Sequence, residues 1–491
     1  MWSHFYFTKT LQHILVRLKA SYTLDTRALG LMRIGIGLIL LADLYIRSSS
    51  ITAFLTDEGV LPISILKQYN WSPTYFSFHT LSGNLYWQVF LFVINAVSVA
   101  LLVLGYRTRL FTFICWVLLT SLQNRNPFIL QGGDDLLRIL LFWSVFLPWG
   151  DRYSIQKKSN YTNNYLSWAN IGYIFLVCSV LFFSALLKTS PEWHSEGTAL
   201  YYALSLDQIR MPFGTFIYQF PNLLKCLTYV VYYIELLAPL IIILPFVSSK
   251  IRLIGIISIV ALFVGIAFTV YVGLFFIIGI VSIIGLLPST TMDWFESHFY
   301  KNKPKLEEQE IQEQKLPFIL KLLFTIKNYF IILVTSFCLV INFGNIQAFP
   351  YALHPMVTNF VKAFRLEQNW GMFSPSILKD DGWFVYSGYA KSKGKYIDIK
   401  NMIDSVSFAK PIPVVNEFES DRWRKFQENY TFNNNNYMRP FYCKYLISKW
   451  NKSHPKDYIS DLTIFFMKET SLPDYKTKPL VKIAVCNCQD K

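Results

Sequence analysis

The chain has 491 residues, 53% of them hydrophobic, 17% aromatic and only 16% charged, at a mean hydropathy of +0.33. Soluble domains carry roughly 25% charged residues, so a wholly soluble protein is excluded. The net charge of +15 sits mostly in short loops between apolar runs, which is orientation signal and not a nucleic-acid footprint; no nucleic-acid partner is expected.

In chain order, residues 1–27 mix polar, aromatic and basic residues and lack the apolar core and small-residue cut site of a cleavable leader. They read as a cytoplasmic segment, with the first membrane helix acting as an uncleaved signal. Apolar runs of near-spanning length follow. About nine spans are predicted, at 28–47, 85–105, 108–123, 135–149, 167–187, 222–247, 251–269, 272–288 and 324–346. Backbone amides in lipid must be satisfied within their own segment, so these are helices. The expected fold class is an all-α polytopic membrane bundle with a C-terminal soluble α+β domain. Residues 28–300 form the transmembrane domain, 301–323 a charged linker, 324–346 the last transmembrane helix and 347–491 the soluble domain.

Positive residues set the direction. The N-terminus, Arg107 with Arg109, Arg152 with Lys157 and Lys158, Lys250 with Arg252, and the stretch 301–327 all fall on one side if there are nine spans. That side is expected to be cytoplasmic, which puts the loops 124–134 and 188–221 and the tail outside. Within the tail, Trp383–Tyr389 and Lys395–Ile399 form a hairpin through Gly394. Ser420–Asn429 and Met438–Lys452 are helical, and Leu462–Met467 and Leu480–Val485 are strands.

Three groups of residues could carry chemistry. Lys188 ends the apolar run Ile171–Leu187 and heads a polar loop containing Pro191, Trp193, His194 and Gly197. Two readings are open: a snorkelling anchor that favours the helix C-terminus, or an amine partly removed from water that gives up its proton readily and acts as a base. The second group, Asn126 through Gly132-Gly133-Asp134-Asp135, is either a helix cap with an Asp134–Arg138 pair or part of a site at the same membrane level. The third comprises Arg33, Asp43 and Glu235, ionisable groups inside spans that must face a partner or a cavity. Arg33 and Asp43 stand about 15 Å apart along a helix and cannot pair with each other. Pro239, four residues after Glu235, is expected to disturb that helix. If a site exists, Lys188 and Asp134 or Asp135 should line one cavity open to lipid.

There is no GxGxxG, P-loop, HExxH or GxSxG motif. Cys115, Cys178, Cys226 and Cys338 lie in apolar runs. Cys486 and Cys488 form Cys-Asn-Cys with no second cluster, so no metal site is predicted. A disulfide involving Cys443 is expected if that end faces an oxidising compartment.

Several motifs resemble a known family. Asp25-Thr-Arg-Ala-Leu-Gly-Leu-Met-Arg33, Asp43 and Asp57-Glu-Gly-Val-Leu-Pro62 are similar to the start of the horizontally transferred transmembrane (HTTM) domain, which vitamin K-dependent gamma-glutamyl carboxylases share with many bacterial proteins. Asn126–Asp135 resembles the bacterial branch, and Lys188 with Trp193 and Gly197 resembles the segment carrying the carboxylase's catalytic lysine. The likeness covers about residues 20 to 290. The tail is similar to that of bacterial members through Trp370-Gly-Met-Phe-Ser-Pro375, Asp380-Asp-Gly-Trp383 and Trp423-Arg-Lys425.

The resemblance implies a quinol-dependent, carboxylase-like enzyme (a carbon–carbon lyase) in a bacterial inner membrane. Lys188 would be the base toward a reduced, vitamin K-like quinone, with membrane lipid or quinone and a secreted or membrane protein as partners. Asp134 or Asp135 would stand where the carboxylase has a functional histidine, and a carboxylate replaces an imidazole as proton donor only if its surroundings keep it protonated. Trp193, His194, Asn126, Glu235, Arg33 and Asp43 are the further candidates for the quinol or substrate site. The tail shows no likeness to the carboxylase's propeptide-binding part. The alternative the family offers is a non-catalytic membrane protein that supports maturation, export or immunity of a partner.

Overall fold

The computed structural model describes residues 14, 16–156, 162–299, 317–347 and 354–489. The predicted charged linker lies largely outside the described residues, as does most of the N-terminal segment.

Apolar composition and length produce the bundle. The helices that build it are α1 (Thr26–Ser48), α2 (Leu85–Leu104), α3 (Thr108–Arg125), α4 (Gly132–Ser144), α5 (Trp168–Leu187), α6 (Ala199–Ser205) and α7 (Pro221–Ile243). They are followed by α8 (Ser249–Thr269), α9 (Phe275–Ile284), α10 (Ser289–Phe299) and α11 (Phe318–Gly344). Their ends follow local chemistry. The Asp25 carboxylate accepts from the Arg27 amide at 2.8 Å and so caps α1. Helix α2 stops at Gly105, whose φ of +79° is the left-handed turn that favours glycine.

Among the described residues, six helices are long and apolar enough to cross a membrane: α1, α2, α5, α7, α8 and α11. A seventh span arises if α9 and α10, bent by 95° at their junction, count as one. The chain is therefore a multi-pass membrane protein.

Three of the nine predicted spans do not meet this standard alone; of these, 272–288 reaches it only as α9 joined to α10. The stretch 108–123 is helical as α3, but its end carries buried Thr120, Gln123, Asn124 and Arg125. The stretch 135–149 is α4, only 13 residues, or about 20 Å of a hydrocarbon core about 30 Å thick. Leu136 to Trp143 are apolar apart from Arg138 because α3, α5 and α9 surround them, not because lipid does.

The C-terminal unit is an antiparallel sheet of four strands: β1 (Asp380–Ala390), β2 (Lys395–Asp398), β3 (Ile459–Thr470) and β4 (Val481–Gln489), in the order β2-β1-β3-β4. The predicted hairpin and both later strands are present. The predicted helices are α12 (Asp421–Thr431) and α13 (Arg439–Ser453). They cover one face of the sheet, where Tyr386, Phe426, Tyr430 and Tyr442 stack edge to face. Trp383, Val385, Val414, Phe418 and Met467 form a small core on the other face. A disulfide joins Cys443 of α13 to Cys488 of β4.

Candidate functional site

Lys188 follows the last residue of α5 and is only 2% exposed. A lysine stays in such a place only with compensation. Its ammonium donates to the Ser184 hydroxyl one turn back at 3.1 Å and to the Glu235 carboxylate of α7. The Trp193 ring lies 4.5 Å from the ammonium on another side and adds a cation–π contact. Glu235 is itself buried, and the pair ties α5 to α7. Helix α7 runs on through Pro239; because proline lacks an N–H, the Glu235 carbonyl has no helical partner at that position.

The loop after Lys188 is firmly held. The Lys188 carbonyl lies 2.7 Å from the His194 ring Nε2, and His194 packs edge-on against Tyr232. The Trp193 indole donates to the carbonyl of Phe373 at 3.0 Å, and Glu192 accepts from the Ile377 amide at 3.1 Å. The segment preceding the sheet therefore forms part of the wall around the lysine.

A second buried cluster is built from Asp43 and Arg47 on α1, Asp134 on α4 and Arg422 on α12. Arg47 bonds Asp43 at 2.8 Å and Asp134 at 2.6 Å. Arg422 bonds Asp43 at 2.7 Å, Asp134, and the Ile129 carbonyl at 2.9 Å. Two carboxylates and two guanidiniums leave no net charge, which is how such a group survives burial. Burial works against the Arg422 charge, but the carboxylates of Asp134 and Asp43 outweigh it and hold its pKa above the ordinary value. Asp134 also closes the first turn of α4, accepting from the Gln131 amide at 2.9 Å.

The structure brings together Lys188, Trp193, His194 and Glu235. Asp134 belongs to the other cluster: among the described residues it shares no hydrogen-bond partner with Lys188. Asp135 pairs with Arg138 at 2.7 Å, so Arg138 takes Asp135 and not the expected Asp134. Asn126 holds the turn before α4 through the Phe54 carbonyl and the Phe128 amide. Arg33 binds the carbonyls of Trp149, Arg152, Val103 and Tyr153, a clamp away from both clusters.

Sequence reasoning missed Ser184, Arg47 and Arg422. The Asp43–Arg47 spacing of four was a usable signal; Arg422 left none, since its partner Asp43 is 379 positions away.

These features define a class: a multi-pass membrane protein whose C-terminal α+β unit helps to enclose buried charge at one end of the bundle. No family model matches the chain, and neither a curated protein nor a solved structure does.

Proposed function

We propose that the protein is a membrane enzyme in which Lys188 and Glu235 together withdraw a proton from a lipid-soluble quinol, on the carboxylase-like pattern that its sequence motifs resemble. The observation that carries this reading is the buried Lys188–Glu235 pair under Trp193 at the end of a candidate span. A buried amine costs several kcal/mol in desolvation, and an apolar pair of similar volume would hold α5 against α7 without it. Retention of the charges fits a role in moving protons.

Proton accounting assigns the roles. An ammonium is no base. When Glu235 takes the lysine proton, Lys188 becomes a neutral amine able to accept one from a substrate hydroxyl. Ser184 can hold the amine through both states, whereas the Trp193 ring favours the charged one. A quinone, if bound, would supply the redox chemistry; this chain's residues supply the proton acceptor and exclude water.

The proposed direction keeps the basic loops cytoplasmic and the C-terminal unit outside, in a bacterial inner membrane. The Cys443–Cys488 disulfide supports that placement, because disulfides persist in oxidising compartments. The protein substrate would then reach the site from outside and the quinol from lipid.

The test has two parts. Lipids that co-purify with the protein are identified by mass spectrometry, and a retained quinone is expected. Lys188→Ala and Lys188→Arg are expected to abolish biological function while the protein remains inserted; full function in both would end the enzyme reading.

A further inference from the structure

The two edges of the C-terminal sheet are finished differently. At one edge, β2 has four residues and the chain seals it: Asp398 and Ile403 exchange backbone hydrogen bonds, and Lys393 and Lys395 pair with Asp404. At the other edge, β4 has nine residues, Val481–Gln489, of which eight pair with β3 and Val485 forms a bulge, and no described residue pairs with its outer side. Strand β4 contains no proline and one charged residue, Lys482. A long edge of this kind is a template for another strand, and proteins usually block such edges.

The surroundings of the edge specify what fits. Ile483, 39% exposed, lies opposite Phe466, which lies opposite Phe384. Phe384 is buried beneath the helices, so Ile483 and the half-buried Phe466 make the apolar ledge at the open edge, with Leu480 and Val481 exposed beside it. Residues 473–484 are all exposed and contain Lys476, Lys478 and Lys482 against a single acid, Asp474. An incoming strand gains main-chain hydrogen bonds from the edge and places alternate apolar side chains on the ledge. Negative charge on its remaining side chains complements the lysines. A second copy of this chain would bring like-charged edges together, which disfavours it at low salt.

We propose that β4 is a docking edge for an extended acidic segment of a partner protein, bound by strand addition. The proposal stands on the sheet alone and is independent of the Lys188–Glu235 reading.

The test uses the full chain in nanodiscs and a fluorescent, end-blocked octapeptide of alternating valine and glutamate, followed by anisotropy. Saturable binding is expected. Methylation of alternate amide nitrogens along the peptide's bonding edge should weaken it tenfold or more, and so should Ile483→Lys. Lys476→Glu with Lys478→Glu should weaken it several-fold and flatten its salt dependence. Equal affinity for the methylated peptide, or for an alternating valine–lysine peptide, overturns the proposal, as does absence of saturable binding. Concentration-dependent pairing of the protein that Ile483→Lys abolishes, with no peptide binding, would assign the edge to a second copy and also overturn it.

Discussion

Lys188 and Glu235, 47 positions apart, meet as a buried ion pair between α5 and α7. Removing one member leaves the other charged in a site built for neutrality, which costs about 3–5 kcal/mol. Glu235→Leu and Lys188→Met are each expected to lower the melting temperature in detergent. The double variant should recover most of the loss, because a well-packed apolar pair replaces the ions. A double variant no more stable than the singles would mean that the two groups do not act as a unit.

Among the described residues, Arg422 is the one cation that the C-terminal unit contributes to the cluster with Asp43, Arg47 and Asp134. Arg422→Met leaves two buried carboxylates facing one guanidinium. The expected outcome is a loss of about 3–5 kcal/mol and faster proteolysis at the junction between bundle and sheet. Arg422→Lys should rescue little, since one ammonium cannot reproduce the fork that reaches both carboxylates. Unchanged proteolysis of Arg422→Met would show that the cluster does not hold the two parts together.

Asp381 gives a pH dependence. It is buried at the start of β1 and accepts from the backbone amides of Asp207 and Gln208, beside the Asp207 carboxylate, which is paired with Arg210 and Lys410. Burial pushes its carboxyl up to about 7. The folded state thus binds this proton more tightly than the unfolded chain. The stabilisation is present in full below about pH 4 and is lost as pH rises toward 7, at up to about 1.4 kcal/mol per pH unit. Asp381→Asn keeps an acceptor for the two amides and removes the charge. It should be more stable than the natural chain at pH 8, with the difference shrinking toward pH 5. Parallel stability curves would refute the assignment.

The Cys443–Cys488 disulfide closes a loop with a sequence separation of 45. Chain entropy for that length corresponds to about 4 kcal/mol. Cys443→Ser should lower the unfolding free energy of the C-terminal unit by an amount of that order, read as a fall in its denaturant midpoint, and a reductant should have the same effect on the natural chain and none on the variant. A midpoint insensitive to reductant would exclude a stabilising bridge.

What the sequence made legible was local. Apolar runs located α1, α5 and α7, and alternation around Gly394 located the hairpin of β1 and β2. The error at 135–149 has a physical cause: full enclosure by protein and exposure to lipid select the same apolar residues, and only length separates them. Long-range pairing is invisible to periodicity. Nothing around Glu235 points to Lys188, and nothing in Trp423-Arg-Lys425 shows that the preceding Arg422 reaches Asp43. The polar clusters at 126–135 and after 188 were visible, but their distribution between two separate networks required the fold.

The central claim is that Lys188 and Glu235 take a proton from a quinol dissolved in the bilayer. Its most direct test is an anaerobic absorption spectrum of reduced naphthoquinone added to the protein in nanodiscs at neutral pH. The natural chain should convert the bound quinol to its red-shifted anion, and the Lys188→Met, Glu235→Leu variant, folded but lacking the pair, should leave it neutral. A quinol that stays neutral on the natural chain, or ionises equally on the variant, would contradict the account.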